Sequence, residues 1–322
     1  MGSRLQNGGR RRLGFPLAAL VLGLAWGGAR AETTNAARLE FTQRGNEFTF
    51  DTGVVRGKLR PLGKSLGLAA VVHVPSGVLL DRGEKGYGLF SHYRVFTTGQ
   101  RYGHGAWDWP STARRREDGA VEVRWAAETN QPFEMRAVYR WAAADALDLE
   151  TSVTARRDLP KFESFLASYF AEPFTNVLVQ VNDPKGKTGG PLFMAAEKTF
   201  GVWQMFPRDA AAVGIVQDGR WALEPNPVQW VTMPTLARPI AVRRDPVSGV
   251  AAAVLARSED CFAVLTPFQT EGHYSLYLSL FGRDVKAGET ASARTRLVIL
   301  APFSESRVLE KWNSFSAEKA GP

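Results

Sequence analysis

Strict alternation of apolar and polar residues constrains this chain more than any other feature. In Val121-Glu122-Val123-Arg124-Trp125 the apolar side chains fall on odd positions and the charges on even ones. Leu147 to Val153, Leu276 to Leu280 and Thr295 to Ile299 repeat the pattern. Successive side chains of a strand point to opposite faces. A period of two with one polar face therefore predicts antiparallel sheet, buried on one side and wet on the other. Turn signals separate the runs at Arg44-Gly45-Asn46, Pro75-Ser76-Gly77, Glu117-Asp118-Gly119, Asp183-Pro184-Lys185-Gly186 and Ala287-Gly288-Glu289. Strands at such spacing predict an all-β fold, a large sandwich or barrel. Helical spacing stands out in Glu305 to Lys319, where Val308, Trp312 and Phe315 recur after Pro302. A short C-terminal helix is expected there, with Trp312 as an apolar peg on the sheet.

The N-terminus reads as a leader. Arg4, Arg10, Arg11 and Arg12 precede the apolar run Leu13 to Ala25, and Ala29-Arg30-Ala31 offers small residues at a cleavage site. This pattern predicts a secretory signal peptide over residues 1–31 and an exported protein, periplasmic or extracellular, by the general or the twin-arginine route. The run is shorter than the roughly 20 residues of a membrane span, so no stable span is expected after cleavage. Residues 32–322 are expected to form one domain.

Charge then loses its apparent meaning. The whole chain carries +8, with 40 basic and 32 acidic residues. Five of the arginines leave with the leader, which holds no acid, so the mature chain is close to balanced. The runs Arg114–Arg116, Arg156–Arg157 and Arg243–Arg244 are each followed by an acid and read as solvated strand ends. Nucleic acid is not an expected partner. Cys261, the single cysteine, excludes an internal disulfide; in its apolar run it reads as a buried, inert thiol. His92, His104 and Asp108 match no compact ligand spacing, so no metal is expected, and no cofactor fingerprint occurs. His73, between Val72 and Val74, reads as structural.

Three stretches, in order, resemble the galactose mutarotase (aldose 1-epimerase) family. His104-Gly105 is followed by Trp107, Trp109, a charged turn and the strand Val121 to Trp125. Phe165-Leu166-Ala167-Ser168-Tyr169-Phe170 stands where that family has His-Ser-Tyr-Phe or His-Pro-Tyr-Phe. Val285-Lys286-Ala287-Gly288-Glu289 resembles its Pro-Gly-Glu turn before the last strand. The resemblance runs from about Phe90 to Leu300. It implies a β-supersandwich of large antiparallel sheets whose concave face holds carbohydrate. It also implies departures. Ala167 replaces the family's acid histidine, and a methyl group cannot transfer a proton. Thr266 falls where the family has its glutamate base, with Glu271 entering on a shifted register. His104 would keep a sugar contact, and Arg94 matches a sugar-contacting arginine.

The stretch YGHGAWDWPST, Tyr102 to Thr112, supplies the candidate site. Tryptophan and tyrosine offer a flat apolar surface with a polar edge, which suits the C–H face and hydroxyl rim of a sugar. On a strand, Trp107 and Trp109 would share one face. Arg94, His104 and Asp108 could bond hydroxyls, and the glycines would allow close backbone approach. Tyr102 and Tyr169 complete the candidate binding set. The alternative is that both tryptophans cap the core and His104 satisfies a backbone carbonyl. Glu271 and His273, two apart, would share a face and serve with His104 as catalytic candidates, or else belong to a solvent-facing hairpin. The expected function is therefore an exported carbohydrate-binding protein without standard mutarotase activity. The alternative is a carbohydrate-active enzyme, either an epimerase with relocated groups or a polysaccharide lyase or hydrolase.

Overall fold

The computed structural model describes residues 39–61, 67–83, 86–186, 189–268 and 274–318. The predicted leader and the pair Glu271 and His273 lie outside them.

The expected all-β sandwich is what the chain forms. One sheet has nine strands, in the order Leu192–Ala195, Asn176–Val181, Leu236–Arg244, Ala251–Ala256, Thr290–Leu300, Ala146–Ala155, Phe133–Ala143, Val121–Trp125, Thr112–Arg115. The facing sheet has seven, in the order Val231–Thr232, Trp203–Pro207, Cys261–Pro267, Ser275–Val285, Leu159–Tyr169, Ser91–Thr97, Gln100–Arg101. Its outermost pair, Trp203–Pro207 with Val231–Thr232, is parallel; the other pairs in both sheets are antiparallel. A five-stranded sheet from Thr42–Arg44 to Val78–Leu79 packs Phe48, Phe50 and Leu59 against the same core. The alternating runs all fall on strands, and the hairpin Ala146–Ala155 to Phe133–Ala143 keeps its register over most of its length.

Alternation sorts the side chains into three layers. Leu166, Val264, Leu276, Leu278 and Leu280 of the seven-stranded sheet meet Val153, Ala241, Val254 and Leu297 of the other sheet between the two. Odd-numbered partners on the same strands, Phe165, Ala167, Tyr169, Ala263, Leu265 and Tyr277, form a second cluster on the outer face. The third cluster lies on the outer face of the nine-stranded sheet, where helix α2 (Glu305–Ala317) sets Val308 and Phe315 against Ile240, Val242, Ala253 and Val298. Ser304 caps α2 by accepting from the Arg307 N–H. Trp312 is the expected peg, its indole donating to the Ala256 carbonyl at 3.1 Å.

Several wet faces turn out to be covered. Glu122 is buried beneath Arg114, Arg124 and Arg136, with Arg114 Nη2 at 2.9 Å and Arg124 Nε at 3.0 Å from its carboxylate. Leu276 to Leu280 is buried on both faces, because a connection roofs the Tyr277 and Ser279 side. Arg243 is not a solvated strand end. It is fully buried and crosses to the other sheet, donating to the Phe174, Pro267 and Ser275 carbonyls. Cys261 is the inert thiol expected: burial pushes it up to about 12.

Candidate functional site

The roof of the seven-stranded sheet is the connection from Pro207 to Val231. Helix α1 (Ala210–Val216) opens it, with Asp209 accepting from the Ala212 N–H at 2.8 Å as its cap. A 3-10 turn at Arg220–Ala222 follows. Arg220 staples this turn to the sheet. Its Nη1 donates to Glu163 Oε2 and to the Lys161 carbonyl, both at 3.0 Å, while Nε and Nη2 grip Asp218. Glu163 also accepts from Ser279 Oγ at 2.7 Å, and both members of the pair are fully buried. Burial pushes the Glu163 carboxyl above the usual carboxylate range, against the pull of Arg220.

Between roof and sheet lies a cavity of about 430 Å³. Its walls are aromatic: Phe165, Tyr169 and Tyr277 from the sheet, and Trp221 and Trp230 from the roof, with Trp203 at its edge strand. An annex of about 240 Å³, lined by Arg101, His104, Asp108 and Pro225, shares Tyr87, Tyr93, Trp107 and Asn226 with it. Trp221 and Trp230 meet at 89° with centroids 5.2 Å apart, and Phe165 meets Tyr277 at 4.6 Å.

A β-bulge places the one cation in the larger cavity. Val95 pairs with Ser164 and His92 with Leu166, so Tyr93 and Arg94 together oppose Phe165. The extra residue breaks the alternation and lets both side chains line the cavity. Arg94 is 4 % exposed. Its guanidinium carbon lies 5.1 Å from the Tyr93 ring centre and 4.8 Å from that of Trp221. Its Nη2 donates to the Asn226 carbonyl at 2.7 Å, tying the roof to the bulge.

The stretch Tyr102 to Thr112 does not set its tryptophans on a strand. Ala106–Asp108 is a 3-10 turn, so Trp107 and Trp109 part company. Trp107 joins the outer-face cluster, whereas Trp109 packs edge-on against Phe133 at 5.9 Å on the core side. Trp107 is 8 % exposed because both faces of its ring are occupied, by Tyr93 at 4.0 Å and by Tyr87 at 4.7 Å. It is the middle ring of a stack whose outer member is Tyr87, 45 % exposed. Gly-His-Gly has two separate reasons. Gly103 takes φ +64°, which favours glycine. At Gly105 a Cβ would sit 2.7 Å from Tyr93 Cδ2, so only a bare backbone lets the stack close.

The predicted residues fall into two groups. Arg94, Trp107 and Tyr169 line the aromatic cavity, and His104, Asp108 and Trp107 line its annex. Tyr102 is buried, its ring edge-on to Phe133 at 5.0 Å and its hydroxyl 3.2 Å from Thr97 Oγ1. With Trp109, His104 and Asp108 it borders a separate surface hollow of about 460 Å³ that includes Glu128 and Gln131. His104 is exposed and borders both the annex and this hollow. Ala167 lies on the outer face between Phe165 and Tyr169, paired with Tyr277. Thr266 points the other way: its hydroxyl donates to the Ser275 carbonyl at 2.9 Å and lies 3.3 Å from Arg243 on the inner side. The register that put it at a base position therefore aims it away from the cavity.

Protonation is equally telling. Burial, aided by their proximity to each other and to Tyr93, pushes the Tyr169 phenol well up; burial does the same for Tyr277. Both stay protonated at neutral pH. His92 is held neutral by burial, down to about 3, between Thr151 and Ser164 on the inner side. Among the described residues no group of three or more His, Cys, Asp or Glu gathers as a metal site. No helix among them is long and apolar enough to cross a membrane.

Reading single residues missed most of the aromatic wall: Tyr87, Tyr93, Trp203, Trp221, Trp230 and Tyr277. The signal for Tyr277 was present in Leu276-Tyr277-Leu278-Ser279-Leu280, whose supposedly wet face carries an aromatic ring.

No family model matches the chain, and no curated protein is matched by its sequence. Solved structures do resemble it. A galactose mutarotase related enzyme from Lactobacillus acidophilus is 10 % identical, with 80 % of this chain and 99 % of that one covered and a TM-score of 0.49. A GalM/aldose epimerase homologue from C. elegans is 10 % identical over 76 % of this chain and 95 % of its own, with a TM-score of 0.45. Identities this low carry nothing about activity, and the site is read from this chain's own residues.

Proposed function

We propose that this chain is an exported carbohydrate-binding protein that holds a sugar in the aromatic cleft roofed by residues 208–230, without mutarotase chemistry. The observation that carries this reading is the cleft's composition. Flat rings make up most of the wall, and its polar groups are Arg94, Asn226, the indole nitrogens and the hydroxyls of Tyr87, Tyr93, Tyr169 and Tyr277. A pocket that orients a ring of C–H and O–H groups needs that mixture. Tyr87, stacked on Trp107 and half open to solvent, offers the exposed ring against which a sugar face can lie.

Proton transfer has little to work with in the same cleft. Among the described residues no histidine or carboxylate lines the larger cavity, and burial holds the Tyr169 and Tyr277 phenols protonated. Ala167, on the strand of Tyr169 and paired with Tyr277, is buried and carries only a methyl group. His104 and Asp108 border the annex instead.

An NMR titration of the purified protein against mono- and oligosaccharides tests the reading. Line broadening of ligand signals without new resonances is the expected result. New anomeric or unsaturated signals would mean turnover, and no broadening with any sugar would end the carbohydrate reading.

A further inference from the structure

The hydrogen-bonding capacity of the cleft is one-sided. Arg94 donates one bond, from Nη2 to the Asn226 carbonyl, and its Nε and Nη1 are buried with no acceptor. Among the described residues no other side chain leaves two buried nitrogens in that condition; Arg60, Arg243, Arg244 and Arg257 each leave Nε alone. No Asp or Glu among those residues lines the 430 Å³ cavity, so among the described residues of its wall the charge of Arg94 has no carboxylate partner. The indole nitrogens of Trp221 and Trp230, on the same wall, also lack acceptors. Trp125 and Trp141 do so in the inter-sheet core as well, so the weight falls on Arg94 and the indoles add only direction.

A buried donor without an acceptor has lost its water and gained nothing, and a charged donor loses most. The group that answers such a site accepts only, and is negatively charged. We propose that the cleft takes an acidic sugar, a uronic acid or a glycan containing one, with its carboxylate received by Arg94 and its ring against the aromatic wall. This rests on the carbohydrate reading above and narrows it to a substrate class. One guanidinium matches the single charge of a carboxylate, whereas a phosphate monoester near neutral pH carries close to two. Arg101, the neighbouring cation of the annex, already directs its hydrogen bonds to the carbonyls of Gly103, His104, Leu223 and Pro225, so it adds positive charge nearby but no second fork of donors. Nε and Nη1 are closed to bulk solvent. A carboxylate oxygen reaches them only as the Tyr93 and Trp221 rings beside the guanidinium give way, and it then meets donors without competing water, where charge-assisted bonds are strongest.

Calorimetric titration of the purified protein decides it, using galacturonate and glucuronate oligomers, their methyl esters and the matching sugar phosphates. The free acid should bind about tenfold tighter than its methyl ester, with the margin shrinking as salt is raised. Arg94→Met should abolish that preference. Equal affinity for acid and ester would overturn the acidic-sugar assignment while leaving sugar binding intact, and absence of binding by both would remove both readings. Tighter binding of the phosphate ester would overturn the carboxylate. Should Arg94→Met fail to fold, the acid and ester comparison on the unaltered protein still decides.

Discussion

The outer faces of the two sheets are both roofed, one by α2 and the other by the connection from α1 to Trp230, but the roofs close differently. Under α2 the principal polar groups find each other. Trp312 donates to Ala256, Arg296 meets Asp148 at 2.5 Å and Glu318 at 2.9 Å, and Lys311 meets Asp145 at 2.7 Å. Under the other roof Arg220 and Glu163 close in the same way, but a few residues off Arg94, Trp221 and Trp230 keep donors unmet around a cavity. A roof that completes its own hydrogen bonds is packing. One that is firmly stapled and yet leaves its donors unmet has the character of a receptor.

Breaking the staple should have the largest effect. Glu163→Ala leaves the buried Arg220 with the Lys161 carbonyl and with Asp218 as its remaining carboxylate, and about 3 kcal/mol of stability should be lost. Urea unfolding would measure it, and sugar affinity should fall with the loosened roof. Trp312→Ala on the opposite roof should cost about 2 to 3 kcal/mol of stability and leave sugar binding unchanged. A loss of binding in that variant would blur the contrast between the faces. Tyr87→Ala should do the reverse. Its exposed ring contributes little to folding, within about 0.5 kcal/mol, while affinity should drop by about 2 kcal/mol, roughly 30-fold.

A smaller effect separates buried charge in the frame from the unmatched charge in the cleft. Burial opposes ionisation of Glu122, yet the Arg114 hydrogen bond and the charges of Arg124, Arg114 and Arg136 hold its carboxyl below the ordinary value of 4.5. A depressed carboxylate stabilises the fold above its unfolded pKa, and that contribution is lost as pH falls through the folded value. The stability difference between the protein and Glu122→Gln should therefore be about 1 kcal/mol at pH 7 and shrink as the pH falls below the ordinary carboxylate range. A difference that persists unchanged in acid would contradict the assignment.

The frame was legible because period two is a backbone property: Val121–Trp125 and the runs inside Ala146–Ala155, Ser275–Val285 and Thr290–Leu300 are strands as read. What alternation could not say is what covers a polar face. Glu122 and Ser279 look solvent-facing in sequence, but Glu122 is covered by arginines of its own and the two neighbouring strands, and Ser279 by a roof that arrives from a distant segment. The site was half legible. Arg94, Trp107 and Tyr169 were singled out, but the bulge that turns Tyr93 and Arg94 to one side depends on pairing with Ser164 and Leu166. Trp107 and Trp109 separate because a local 3-10 turn overrides the strand they were assigned to, and Trp107 becomes an inner ring instead of an open platform. Trp203, Trp221 and Trp230 lie far along the chain from Tyr102–Thr112, and folding alone brings them to it.

Hydrogen–deuterium exchange with and without a bound glycan tests the central claim most directly, since it reads both faces at once. Protection should rise in peptides covering Gly86–Arg94, Gly105–Trp109 and Arg220–Trp230, and stay unchanged over Ala251–Ala256 and α2. Protection confined to the helical face, or spread evenly over both, would contradict the assignment of the aromatic cleft as the sugar site.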